Sequence, residues 1–172
     1  MSNHIDEWAL QCKEASDLMF AMAKHLAGEH YGVLIADKDS CVSALEDPDS
    51  GVRSAAILLC KDYWHCGTDE GFIGRCSKIV SVDPDRGCRL NAIDALGFCL
   101  RGSAHLVALA TLATIAADAS ECVRVRNTAY TALLEIRCGT TMKTMTWDFS
   151  EEHKLVVMDG DILADILNRK TG

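Results

Sequence analysis

Proline is scarce in this chain, with 2 residues in 172, and aromatic residues make up only 6%. Both shortages weigh against a sandwich of many short strands separated by turn residues. Both prolines, Pro48 and Pro84, stand in a repeated turn, which favours helices joined by short connections. An excess of positive charge is also lacking. The formal net charge is −8, which argues against a general nucleic-acid binder because the phosphate backbone demands a basic patch. Nine cysteines are present, yet no Cys-x-x-Cys pair occurs, so thioredoxin-like chemistry and paired-Cys zinc sites lose their signature. The most apolar run, Ala104 to Ala117, is shorter than the roughly 20 residues that cross a bilayer. The opening Met-Ser-Asn-His-Ile-Asp-Glu has no basic n-region and no apolar h-region. The expectation is therefore a chain without a secretory signal, cytoplasmic, with reduced thiols and no membrane segment.

Chemical motifs are missing too. There is no Gly-rich phosphate loop, no Gly-x-Ser-x-Gly elbow and no His-Glu-x-x-His helix. Asp47-x-Asp49 and Asp83-x-Asp85 begin like calcium loops. However, the sixth positions are Val52 and Cys88, and the twelfth are Leu58 and Asp94, where Gly and Glu are required. Asp159-Gly160-Asp161 reads only as a turn. No catalytic residue, metal site or cofactor is expected.

What is present is a repeat. Asp47-Pro48-Asp49-Ser50-Gly51-Val52-Arg53 returns as Asp83-Pro84-Asp85-Arg86-Gly87-Cys88-Arg89. It returns in worn form as Ser120-Glu121-Cys122-Val123-Arg124-Val125-Arg126. Val52 to Cys88 is 36 positions and Cys88 to Val125 is 37. A fixed period of that size marks stacked helical repeats. Aligned on Val52, Cys88 and Val125, each copy has alanine four positions on: Ala56, Ala92, Ala129. The same face continues through Leu59, Ala95 and Ala132, then Cys60, Leu96 and Leu133, then Tyr63, Cys99 and Ile136. Cys60, Cys88 and Cys99 thus stand where other copies have apolar residues, as small core hydrophobes do.

Around this repeat the spacing predicts further helices. Trp8, Cys12, Ala15, Met19, Met22 and Leu26 form one face of a helix from Ile5 to Ala27. Tyr31 to Ala36 leads into a helix ending near Leu45, with Asp39 or Ser40 as a cap. Helices are expected at Ser50–Tyr63, at a stretch restarting from Thr68 or Asp69, and at Arg86–Leu100. Ala104–Ala117, apolar nearly all round, reads as the most buried helix, with His105 a satisfied core group. Cys122–Ile136 and a short Asp161–Asn168 follow, the latter with Ile162, Leu163, Ile166 and Leu167 inward. Residues Gly139 to Thr146 read as a loop, followed by apolar contacts from Trp147, Phe149 and Leu155 to Val157.

The Asp-Pro-Asp turn, then an apolar residue, Arg and Ala resembles the HEAT-repeat motif. It is carried by Asp47-Pro48-Asp49…Val52-Arg53…Ala56 and Asp83-Pro84-Asp85…Cys88-Arg89…Ala92, and in part by Val125-Arg126…Ala129. The resemblance spans roughly Gly32 to Ile136. It implies an all-α fold: a short right-handed α-solenoid of about four helical hairpins with divergent terminal helices. The expected organisation is one domain, 1–172, with its clearest repeats at 33–66, 69–101 and 103–138. It also implies that Arg53, Arg89 and Arg126 pair with turn acids such as Asp47 and Asp83 in an inter-repeat ladder. A phosphate- or carboxylate-binding arginine row is the alternative.

Repeat arrays expose one helix face to partners. The expected function is non-enzymatic binding of another protein, with a basic partner suited to the acidic chain, as in an acidic inhibitor or immunity-type protein. Lys61, Asp62, Asp94, Arg101, Thr131 and Glu135 are the expected contact positions, with Trp64 and His65 at the loop Tyr63 to Glu70. The resemblance also admits HEAT-like enzymes, such as bilin lyases and alkyl-base DNA glycosylases, the latter disfavoured by the acidic balance and short length. A structural brace in a larger complex is the third reading.

Overall fold

The first two copies of the repeated turn place an aspartate one residue before a helix, and those aspartates do the capping. The computed structural model describes residues 16–139 and 158–169. Asp49 accepts hydrogen bonds from the amides of Gly51 (2.7 Å) and Val52 (3.2 Å) and so starts α4, Ser50–Asp62. Asp85 accepts from Cys88 (2.8 Å) and starts α6, Arg86–Cys99. The first acid of each turn folds the turn itself: Asp47 accepts from the amide of Asp49 and Asp83 from that of Asp85, both at 2.8 Å. Two residues of one short motif thus satisfy amides that a helix start leaves open.

The described residues are helical, with no strand among them. The chain divides into two compact units, Met1–His65 and Cys66–Gly172. The first holds the first repeat, and the second holds the other two.

In the first unit, residues 16–27 form α1. Tyr31–Ala36 is α2 and Lys38–Ser43 is α3. A 3-10 turn at Ala44–Glu46 leads to the Asp47 turn and α4. Both α2 and α3 pack on α4. The buried face of α1 is Ala23 and Ala27 (Met22 is 48% exposed), so the stripe is turned from the expected Met19–Met22–Leu26 line. The close seat of α1 near α4 explains the small residues: a Cβ on Gly51 would stand 2.5 Å from the Leu26 carbonyl oxygen. The expected positions Trp8, Cys12 and Ala15 lie outside the described residues. The segment expected to run on to Leu45 breaks at Asp37, whose carboxylate accepts from the Ser40 amide at 2.8 Å. The cap is therefore Asp37, upstream of Asp39 and Ser40.

The described residues of the second unit include two consecutive helical hairpins and a later helix near the C-terminus. Glu70–Val82 is α5, capped by Asp69, and pairs with α6. Leu106–Ala117 is α7 and pairs with α8, Val123–Cys138. The hairpins meet through α5 on α7 and α6 on α8, and α9, Gly160–Arg169, lies on α7. Phe72, Ile73, Cys76, Ile79 and Val80 are all buried, as their spacing predicts. Gly139, at φ 71°, ends α8 in the left-handed conformation that glycine takes without strain. The Tyr130 hydroxyl accepts from the Asp159 amide at 2.9 Å, and Asp159 accepts from Asp161 and Ile162, tying the start of α9 to α8. Leu163 and Ile166 are its buried residues. The segment expected to form a loop after Gly139, and its apolar residues Trp147, Phe149 and Leu155 to Val157, lie outside the described residues.

Two expectations change in this unit. Helix α7 is not buried all round, since Leu106 and Val107 are each 64% exposed. His105 is not a core group of the helix but its cap, with Nδ1 accepting from the Ala108 amide at 3.2 Å. No helix among the described residues is long and apolar enough to cross a membrane.

The worn third turn leaves a measurable deficit. Its residue aligned with Asp49 and Asp85 is Cys122, which makes no side-chain capping bond. Glu121 accepts the Cys122 amide instead, at 2.9 Å. Cys122→Ser supplies a hydroxyl acceptor at the cap, and thermal unfolding should show a gain of about 0.5–1 kcal/mol. An unchanged midpoint would mean that the amides of α8 are already satisfied.

Acid should test one cap carboxylate, Asp37, and one turn carboxylate, Asp118. The Ser40 hydroxyl and then its amide hold Asp37 below its ordinary value of 3.8, and the hydroxyl and amide of Ser120 do the same for Asp118. A carboxylate lowered in the folded state contributes stability that is complete above its ordinary value and lost as pH falls through the folded one. Both groups are exposed, so the effect is small. Below about pH 4, the variant Asp37→Asn with Asp118→Asn should lose stability less steeply than the parent in circular-dichroism titration. Parallel acid limbs would dismiss both contributions.

Candidate partner-binding face

The expected contact residues divide between the two units. Lys61, Asp62, Trp64 and His65 belong to the first; Asp94, Arg101, Thr131 and Glu135 belong to the second.

In the first unit the helix end is knitted inward. Lys61 and Asp62 are half-buried and pair with each other at 3.5 Å, instead of standing in solvent as expected. The Trp64 indole N–H donates to the Leu34 carbonyl at 3.0 Å, which fixes the end of α4 to α2. Tyr63 stacks edge-on with Phe20 (5.6 Å) and with Trp64 (4.8 Å). Tyr63 is 40% exposed although the repeat alignment puts it on the core face. Its backbone is still helical, with the amide donating to the Leu59 carbonyl at 2.9 Å, so it is the ring at the helix end that stands partly in solvent. His65 is exposed, with φ 50°.

In the second unit the other four residues gather on α6 and α8. These helices come unusually close: a Cβ on Gly97 would stand 2.8 Å from Ala132 Cβ and 3.0 Å from its Cα. Glycine inside a helix ordinarily costs about 1 kcal/mol against alanine, so its use here is explained by that approach. Around this contact, Arg101 reaches from the end of α6 to Glu135 on α8 at 3.5 Å. The Arg101 guanidinium also lies 5.3 Å from the Phe98 ring centre, in cation–π range. Phe98 itself is 49% exposed. Asp94 is exposed one turn before it, and Thr131 is half-buried with its hydroxyl donating to the Asn127 carbonyl at 3.0 Å. The sequence reading missed Phe98 and Gly97. The signal was available: Phe98 lies four positions after Asp94, and four positions is one helical turn.

The arginines of the repeat hold main-chain carbonyls. Arg53 donates to the carbonyls of Asp47 (2.8 Å) and Pro48 (3.0 Å). Arg89 donates through Nε to Val80 (2.9 Å), and Arg126 through Nε to Ala116 (3.0 Å). Each thereby secures the C-terminal end of the helix before it, or the turn that follows. Arg89 additionally pairs with Glu121 from the next repeat's turn, both side chains being largely buried. The expected partners were turn acids such as Asp47 and Asp83; for Arg89 the turn acid is Glu121.

A second surface feature is an apolar groove of about 400 Å³ between α7 and α9. Leu106, Val107, Leu109, Ala110 and Ile166 line it, and Arg137 and Asp165 pair across its edge at 3.6 Å. Among the described residues no three His, Cys, Asp or Glu side chains converge in a group able to hold a metal ion. Burial pushes the Cys76 thiol up, with Cys99 and Cys66 adding to it, so its reactive thiolate is suppressed.

Comparison of the chain with protein-family models, with curated proteins and with solved structures finds no match in any of the three.

The Gly97 contact gives a direct test of the face. Gly97→Val should push α6 from α8 and cost about 1–3 kcal/mol in denaturant unfolding. Adding Ala132→Gly should return part of that loss, since it removes the Cβ that the valine meets. A double variant no more stable than Gly97→Val alone would show that the two residues do not share the contact.

Proposed function

We propose that this chain is a HEAT-like repeat protein of the α-solenoid class that binds another protein through the outer face of α6 and α8. The fold part of this reading is supported by the repeated capped turn and by two successive hairpins packed α5 on α7 and α6 on α8. The observation that carries the binding part is Phe98: an aromatic side chain half-exposed between Asp94 and the Arg101–Glu135 pair. Aromatic anchors ringed by polar groups are the usual centre of a protein interface. Asp94 and the net charge of −8 favour a basic partner, whose approach they would also accelerate. The activity is non-enzymatic and of the inhibitor or immunity kind, acting by occupation of the partner's surface. Trp64, tied to Leu34, serves the first unit's own packing in this reading.

The runner-up is a HEAT-like enzyme of the bilin-lyase kind. Its supporting feature is the α7–α9 groove, whose volume and apolar lining fall in the range of small-molecule pockets.

Tagged protein recovered from native cell extract at low and high salt distinguishes the two. A basic protein should accompany the parent in a salt-sensitive way. Its apparent affinity should fall about tenfold or more for Asp94→Lys with Phe98→Ala. Undiminished binding by that variant would sink the α6–α8 face, and an eluate that is coloured and contains no protein partner would favour the enzyme.

A further inference from the structure

We propose that Cys41 and Cys60 are a latent dithiol, which mild oxidation by a peroxide converts into a disulfide stapling α3 to α4. The proposal is independent of the partner-binding face.

Cys41 lies on α3 and Cys60 on α4, 19 residues further along. Their sulfurs are 3.6 Å apart, and both residues are 0% exposed. The Cys41 thiol also faces the Ala56 carbonyl oxygen at 3.7 Å, one helical turn before Cys60. The packing of α3 on α4 thus aims one sulfur along the α4 surface at the other. A disulfide needs a sulfur separation of about 2 Å, so closure asks for a small rotation of each side chain without exchange of helix neighbours.

Access comes from the shortness of α3. It has six residues, too few to be stable without its packing, and it is bounded by the Asp37 cap and a 3-10 turn at Ala44–Glu46. Local opening of such a segment costs less than unfolding of the unit and delivers Cys41 to solvent. Its thiolate attacks one peroxide oxygen, the O–O bond breaks, and the released hydroxide takes a proton to leave as water. The sulfenic acid so formed returns to Cys60, whose sulfur displaces the hydroxyl as a second water. Two thiols lose two hydrogens and two electrons, and one peroxide becomes two waters.

Closing this loop constrains the unfolded chain, so the oxidised form is the more stable one. The test uses the full-length protein exposed to a graded dose of hydrogen peroxide. Remaining thiols are alkylated in denaturant and the digest is read by mass spectrometry. A Cys41–Cys60 cross-linked peptide should appear before any other pairing. The thermal midpoint should rise by about 10 °C and return when dithiothreitol is added. Cys60→Ala should abolish both the cross-link and the rise; where that variant folds poorly, the parent's own cross-link map and reversal decide. Cross-links dominated by other cysteines, or both thiols still alkylated after the midpoint has changed, would overturn the proposal.

Discussion

The side-by-side contact of α6 and α8 sets the geometry of the second unit. Gly97 lets the two backbones approach to a distance that an added methyl would forbid. That approach brings the end of α6 within reach of Glu135, so that Arg101 can bridge the helices while its guanidinium lies by Phe98. It also fixes the relation of the two hairpins, because each helix of the pair carries its own partner, α5 on α6 and α7 on α8. The proposed binding face is in this sense a by-product of close packing: small residues meet between the helices, and larger polar ones are displaced to the rim.

Turn chemistry works alongside packing. The Asp-Pro-Asp turn closes on itself through its first acid and starts the next helix through its second. The following arginine reaches back to carbonyls left open at or just after the end of the preceding helix. One seven-residue motif therefore serves both helix ends that it joins, which explains why it recurs. Where the acid is lost, at Cys122, the neighbouring Glu121 takes over an amide and also holds Arg89 from the previous repeat.

The apolar groove along α7 has a different origin. Its exposed residues, Leu106 and Val107, lie in the first turn of an alanine-rich helix whose other faces are buried against α5, α8 and α9. A helix with apolar side chains on every face must leave some of them outside unless neighbours surround it. Among the described residues, its neighbours are α5, α8 and α9.

Helix positions were legible in the sequence because they rest on local causes. Apolar spacing, aspartate before a first turn and proline after a last one act within a few residues, so Ser50–Asp62 and Arg86–Cys99 fall within a residue or two of their predicted bounds, and Glu70–Val82 starts within two residues of its predicted restart. The buried alanines of the repeat, Ala56, Ala92 and Ala129, were legible for the same reason, through internal self-similarity. What the sequence could not determine was which side chain a neighbouring element would cover. Met22 and Val107 look like core residues by spacing and are exposed, while Lys61 and Asp62 look like surface and are half-buried. Burial depends on elements distant in the chain, and only the tertiary packing decides where those lie. The same holds for Cys41 and Cys60, unremarkable apart in sequence and brought to 3.6 Å by the packing of α3 against α4.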